Sequence, residues 1–365
     1  MPERTSHPFH MHDAIFAQPD CIARALATQR DAILDAAAQA AGRTRIWIAG
    51  IGTSFHAAMV ADYCLRHFMR GSGAAVVQSF EFVHYPRELR ADDAVLVISH
   101  RGWKSYSAQA LASARASGAL TIAFTGQAAD EAMRRADHLI ETCEQEQSAA
   151  HTRSYTSALA CLAVFAIHLA ERRGFVTPED AQRAEASVNA APGLMRNALQ
   201  LEAQARAVAA PLAKRMRWMF LGAGPNWATA REGALKVKET SYIAAEGFQI
   251  EQFLHGPIAE ADERAAVIAH LAGGSGDYRI VAALRAAGEV GALRVLIASH
   301  GAAPAESVAD HVLEVPAGGE WLSPLLHVVP VQLLAYFAAL ERGTNPDTCR
   351  RDQPAHSRTH QHFDL

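Results

Sequence analysis

Lysine is scarce in this chain. Four residues (Lys104, Lys214, Lys236 and Lys238) stand against thirty arginines. Two of the four fall on one short segment, where a composition that otherwise writes arginine has kept lysine. Lysine is the more compact cation and shifts its pKa readily when buried. No basic cluster is present and the formal net charge is −4, which leaves no electrostatic footprint for nucleic acid. The five cysteines, Cys21, Cys64, Cys143, Cys161 and Cys349, contain no C-x-x-C pair and are odd in number. Free thiols in a reducing cytoplasm are therefore expected. The first ten residues, MPERTSHPFH, lack an apolar core, so no signal peptide is expected. The longest apolar runs, near 158–170 and 329–340, are interrupted by His168 and by Pro330 and Gln332. They are too short to span a bilayer and read as buried helices, so no membrane partner is expected. The histidines are scattered apart from His356, His360 and His362 in a polar tail, and no metal is expected.

What is present is a repeat. Ile48-Ala49-Gly50-Ile51-Gly52 returns as Phe220-Leu221-Gly222-Ala223-Gly224, an offset of 172. Val95 to Gly102 returns as Val267 to Gly274, and Asp137-His138-Leu139-Ile140-Glu141 returns as Asp310-His311-Val312-Leu313-Glu314. Three matches in order at nearly one spacing indicate a duplicated domain, since the period is far too long for a solenoid. A chain of 365 residues is long enough for two cores.

Each copy alternates short apolar runs with longer Ala/Leu-rich stretches. In the first copy the strand candidates are 45–50, 74–78, 94–99, 119–124 and 138–141. Apolar strands separated by helices predict a parallel sheet in an α/β/α layer. The expected organisation is an N-terminal helical segment (1–35), a first domain (36–175), a polar linker (176–207), a second domain (208–342) and a surface tail (343–365).

Ligands of such sheets sit beyond the carboxyl ends of the strands. There the first copy has Gly50-Ile51-Gly52-Thr53-Ser54, which follows a strand and opens a helix. Its glycines let backbone approach an anion, and Thr53 and Ser54 add hydroxyls at a helix N-terminus. The same two hydroxyls would equally serve as helix caps. The next such loop reads Ser99-His100-Arg101-Gly102-Trp103-Lys104-Ser105, with two cations. Arg101, two residues past a strand, is expected to contact an anion directly, because a guanidinium makes charge-assisted bonds to phosphate. A third polar loop carries His151 and Thr152. These loops predict a phosphate site. The second copy has Pro225, Asn226 and Leu271 at the matching places. The anion site is therefore expected only in the first copy, with the second lending the helix at 228–243.

That helix carries Glu232, Lys236 and Glu239. Spacings of four and seven residues put all three on one narrow face. His255 follows in a Leu-His-Gly-Pro turn. A helical carboxylate with a loop histidine is a usable acid/base set, although an exposed Glu-Lys ladder has the same spacing.

Together these residues resemble the double sugar-isomerase (SIS) domain family, and most closely the isomerase half of glutamine–fructose-6-phosphate aminotransferases. The resemblance runs from about Met11 to about Asp347. GTSFHA at 52–57 is similar to the family's phosphate loop. EGALKVKETSYIAAEG at 232–247, HGPIAEAD at 255–262 and PLLHVVPVQLLAYFAALERGTNPD at 324–347 are the more specific matches. The resemblance implies two tandem SIS domains of α/β class. It implies that Thr53, Ser54 and Ser99 hold a sugar phosphate and that Glu239 moves a C1/C2 proton. Glu232 and Lys236 would orient base and substrate. His255 would assist ring opening from a neighbouring subunit, hence a homodimer, and the chemistry needs no cofactor.

Departures from the family narrow the activity. The family's S-Q-S-G-x-T segment reads Ser99-His100-Arg101-Gly102-Trp103-Lys104, and its A-S-T-K loop reads Ala150-His151-Thr152-Arg153. The family's C-terminal lysine has no counterpart in CRRDQPAHSRTHQHFDL. No glutaminase sequence is present. These differences resemble amino-sugar-phosphate deaminase/isomerases and Amadori-product deglycases. A non-catalytic phosphosugar sensor, or a synthase subunit fed by a separate glutaminase chain, remain alternatives.

Overall fold

The computed structural model describes residues 4–85, 88–302, 304 and 307–362. The chain divides into two compact units. One is built from Gln18–Glu146 and Arg153–Pro192, with the residues from Arg358 on. The other is built from the N-terminal residues through Ala17, Gln147–Thr152 and Gly193–Ser357.

The first unit contains the strands β1 (Arg45–Gly50), β2 (Ala75–Gln78), β3 (Asp93–Ile98), β4 (Leu120–Thr125) and β5 (His138–Glu141). All pair in parallel, in the order β2-β1-β3-β4-β5. The five strands fall within one residue of the segments expected from sequence. Strands β3 and β4 are buried along their whole length, as parallel strands between two helical layers must be. The helices in chain order are α1 (His10–Ala41), α2 (Thr53–Phe68), α3 (Ser79–His84), α4 (Ser105–Ala116), α5 (Glu131–Arg134), α6 (Arg153–Arg172) and α7 (Pro178–Leu199). One face of the sheet buries Trp47, Val95 and Val97 against Leu111 of α4 and Met133 of α5.

The second unit repeats the topology. Helix α8 (Glu202–Leu212) leads into β6 (Arg217–Gly222), α9 (Asn226–Thr240), β7 (Ala244–Gln249) and α10 (Ile250–Leu254). Then come β8 (Ala265–Leu271), α11 (Asp277–Glu289), β9 (Leu293–Ser299), β10 (His311–Val315), α12 (Ser323–Glu341) and α13 (Pro354–Thr359). The sheet order β10-β9-β8-β6-β7 is the first sheet's order read from its other edge, strand for strand. Helix α12 lies along α8 and α9.

The repeated Asp-His-x-x-Glu motif has a local cause. Asp137 Oδ2 accepts hydrogen bonds from Thr121 N (2.8 Å) and Thr121 Oγ1 (2.7 Å), tying the start of β5 to β4. Asp310 does the same to Arg294 N at 2.8 Å, tying β10 to β9. Helices α6 and α12 contain the expected apolar runs but extend beyond them, so that, against expectation, both are long and apolar enough to cross a membrane; 94% of each apolar window is buried inside the protein, so they are core helices as expected.

Candidate active site

The first βα turn of each copy begins with a glycine that leaves no room for a Cβ. A Cβ on Gly50 would stand 2.6 Å from the Ser54 backbone, and one on Gly222 would stand 2.0 Å from Asn226 O. The helix start therefore presses against the strand end in both copies. In the second unit this places α9, whose first turn is pinned by Asn226 Nδ2 donating to Ser323 Oγ at 2.7 Å.

On α9 the three aligned residues are not a solvated ladder. Glu232 and Lys236 have no exposed side-chain surface. The Lys236 ammonium donates to Glu239 Oε2 at 2.5 Å and stands 3.4 Å from Glu232 Oε1. Burial works against the Lys236 charge, but the Glu239 and Glu232 carboxylates outweigh it and hold its pKa above the ordinary lysine value. Glu239 keeps 23% of its side chain exposed. Of the three, only Glu239 is open to a ligand, and its position is fixed by a buried cation.

The helix end is closed by residues near the C-terminus of the same unit. Thr344 Oγ1 donates to Thr240 O at 2.7 Å, and the Arg350 guanidinium lies 4.8 Å from the centre of the Tyr242 ring. Asp347 accepts from His10 N (2.8 Å) and Met11 N (2.7 Å), capping α1. None of these tail contacts was foreseen from sequence; the only sequence signal is that the family-like motif continues to Asp347.

His255 terminates α10, ahead of Gly256 at φ 136°. Its ring is 73% exposed and lies 3.4 Å from Glu251. The structure pairs it with α10 and not with α9.

In the first unit, Gly52 at φ 56° precedes Thr53 and Ser54, which open α2 half-buried. Ser99, at the end of β3, is 2% exposed, and its Oγ has no hydrogen-bond partner among the described residues. A buried hydroxyl without a partner is rare and calls for a missing one. Thr125 Oγ1, at the end of the adjacent strand β4, is orphaned in the same way; sequence reading passed over it.

His100 turns inward. Its Nε2 accepts from Glu146 N at 3.3 Å, and its ring packs against Gly126. Burial pushes its pKa down to about 4, so it is a neutral packing residue at neutral pH. Arg101 is half-buried, with its guanidinium 5.8 Å from the centre of the exposed Trp103 ring. Gly102 takes φ 76°, where a Cβ would stand 2.8 Å from Asp130 N. Lys104 takes the N-cap position of α4 with no capping bond from its side chain, and Ser105 Oγ accepts from Gln109 at 2.7 Å. His151 and Thr152 belong to the second unit; Thr152 is fully buried.

Comparison with known proteins agrees with the duplicated fold. The SIS domain model matches residues 41–168 and again 211–342. The glutamine–fructose-6-phosphate aminotransferase (isomerizing) of Thermococcus kodakarensis is 31% identical over 353 residues, which is 96% of this chain and 58% of that protein. The chain thus spans little more than half the length of such relatives. The C-terminal domain of glucosamine-fructose-6-phosphate aminotransferase from Francisella tularensis superposes with a TM-score of 0.86 at 22% identity, covering 95% of this chain and 99% of that one. Glucosamine-6-phosphate deaminase from Thermotoga maritima gives 0.72 at 18% identity, with 93% and 97% covered. The repeated topology, the paired glycine turns and the two matched segments make one statement: this chain belongs to the SIS domain family and carries the domain twice.

Proposed function

We propose that the chain is a sugar-phosphate isomerase acting on an amino sugar, as a deaminase/isomerase or as the isomerase part of a glucosamine-6-phosphate synthase-like system. The observation that carries this reading is the buried Lys236 with Glu239 as its exposed partner. Sealing an ammonium between two carboxylates is costly for a merely structural helix. It is well suited to holding one carboxylate at a fixed point for proton transfer. For a 2-amino aldose phosphate, Glu239 takes the C2 proton and an enolamine forms. The proton returns at C1, and the resulting C2 imine takes up one water and releases ammonia. Thr53, Ser54 and Ser99 hold the phosphate, supported by the orphaned Ser99 hydroxyl. Glu232 and Lys236 position the base.

The exposure of His255 supports a role in a partner's site within a C₂ homodimer. We place the enzyme in the cytoplasm. A relative named glucosamine-6-phosphate deaminase supports ammonia release as the direction, and relatives named aminotransferase support the reverse, with ammonia supplied by a separate glutaminase. Incubation with glucosamine 6-phosphate, fructose 6-phosphate plus ammonia, and fructosamine-6-phosphate adducts tests the reading. Saturable turnover of one of them is expected. Tight binding of these compounds with no turnover of any would make the protein a phosphosugar sensor.

A further inference from the structure

The two copies differ in what fills the mouths of their glycine turns. By the repeat, Gly224 and Gly274 stand where the first copy has Gly52 and Gly102, and Asp277 stands where it has Ser105. In the second copy an acidic side chain lies in this place. A Cβ built on Gly274 would be 2.0 Å from Glu320 Oε1 and 2.5 Å from its Cδ, so the carboxylate rests directly on the glycine backbone. Gly224, at φ 52°, faces the same oxygen: a Cβ there would be 3.1 Å from it. Asp277 Oδ2 accepts from Gly273 N (2.7 Å) and Gly274 N (3.1 Å), the loop donors that such a turn otherwise offers an anion.

Neither carboxylate has a cationic partner among the described residues. Burial and the nearby Asp277 raise the pKa of Glu320, and burial raises that of Asp277. After β5 the first copy has Gln147 and Ser148 at the place that corresponds to Glu320, both neutral.

We infer that Glu320 is the built-in occupant of the second copy's anion cradle and the residue that confines anion binding to the first copy. Asp277 assists by consuming the loop's backbone donors. The two carboxylates do by repulsion and by filling space what Leu271, opposite Ser99, does by lacking a hydroxyl. A phosphate monoester thus meets one open cradle per chain where the duplication would give two. The inference rests on the reading of the first copy's loops as phosphate-binding.

Equilibrium dialysis of the full chain against radiolabelled inorganic phosphate tests it. The Asp277→Ser/Glu320→Ala protein is expected to bind one more phosphate per chain than wild type. Equal stoichiometry in the two folded proteins overturns the inference. Wild type binding none, with the double variant binding one, would sink the first-copy reading, and with it the confinement to the first copy, and would leave only Glu320's occupancy of the second cradle. Geometry is tested separately by thermal melts. Gly274→Ala is expected to lower the midpoint in wild type and to be tolerated in Glu320→Ala; an equal loss in both backgrounds contradicts the contact. Glu320→Gln keeps the shape and removes the charge. It is expected to melt at or above wild type, and a much lower midpoint would show the carboxylate to be a structural anchor and not a stand-in for a ligand.

Discussion

Lys236 donates a 2.5 Å hydrogen bond to Glu239 from a side chain that has no exposure, while Glu239 itself keeps 23%. The cation is sealed and its partner carboxylate is not. Lys236→Ala should therefore damage the fold as well as the chemistry, because buried Glu232 loses the ammonium 3.4 Å away. A loss of about 3–5 kcal/mol is expected, the scale for removing one partner of a buried pair. Chemical denaturation checks this, and Glu232→Gln/Lys236→Met should recover part of the loss.

Ser99→Ala should separate binding from stability. The hydroxyl is buried without a partner among the described residues, so its removal should leave the melting midpoint unchanged or slightly raised. If Ser99 donates to the phosphate, the Kd for a sugar phosphate should weaken roughly tenfold or more, the scale of ~1.5–3 kcal/mol for a hydrogen bond to a charged group. Calorimetric titration beside a thermal melt reads both.

Arg101 replaces a small hydroxyl residue of the family and lies beside Trp103. Arg101→Ser should weaken sugar-phosphate binding by roughly tenfold if the guanidinium anchors the anion. Unchanged or tighter binding would make Arg101 a bystander stacked on Trp103.

Acid should destabilise the protein through His100. Its pKa is pushed by burial from the ordinary 6.5 to about 4 in the folded state. The unfolded chain therefore binds the proton first, and stability falls as pH drops from about 6.5 toward 4. Buried His270 and His327 are shifted the same way by burial, His327 to about 3. His100→Gln should reduce the slope of unfolding free energy against pH in that window by about one proton. An unchanged slope would place the proton uptake elsewhere.

Much of this was legible in the sequence, for local reasons. The strands announced themselves because a parallel strand is buried on both faces and reads as a continuous apolar run. The α9 array was visible because helical spacing alone aligns Glu232, Lys236 and Glu239. Its burial was not, since that depends on α12, nearly a hundred residues on. The segment 176–207 read as a polar linker but is mostly helix. Thr177 caps α7 by accepting from Asp180 N at 3.2 Å, and Pro178 takes the first helical position, a start signal present in Thr177-Pro178-Glu179-Asp180. His100 looked like one of several loop donors. Its hydrogen bond from Glu146 N and its packing on Gly126, both set by the fold, show that it faces inward. The Glu320 contact joins loops far apart in sequence, which no local pattern reveals.

The central claim is that Glu239 moves the proton. The direct measurement is solvent deuterium incorporation at C1 and C2 of a turned-over sugar phosphate, followed by NMR in wild type and Glu239→Gln. The variant is expected to fold, to keep its sugar-phosphate Kd and to exchange at least ~10²-fold more slowly, the scale of general-base catalysis. Exchange at a near wild-type rate in Glu239→Gln would contradict it.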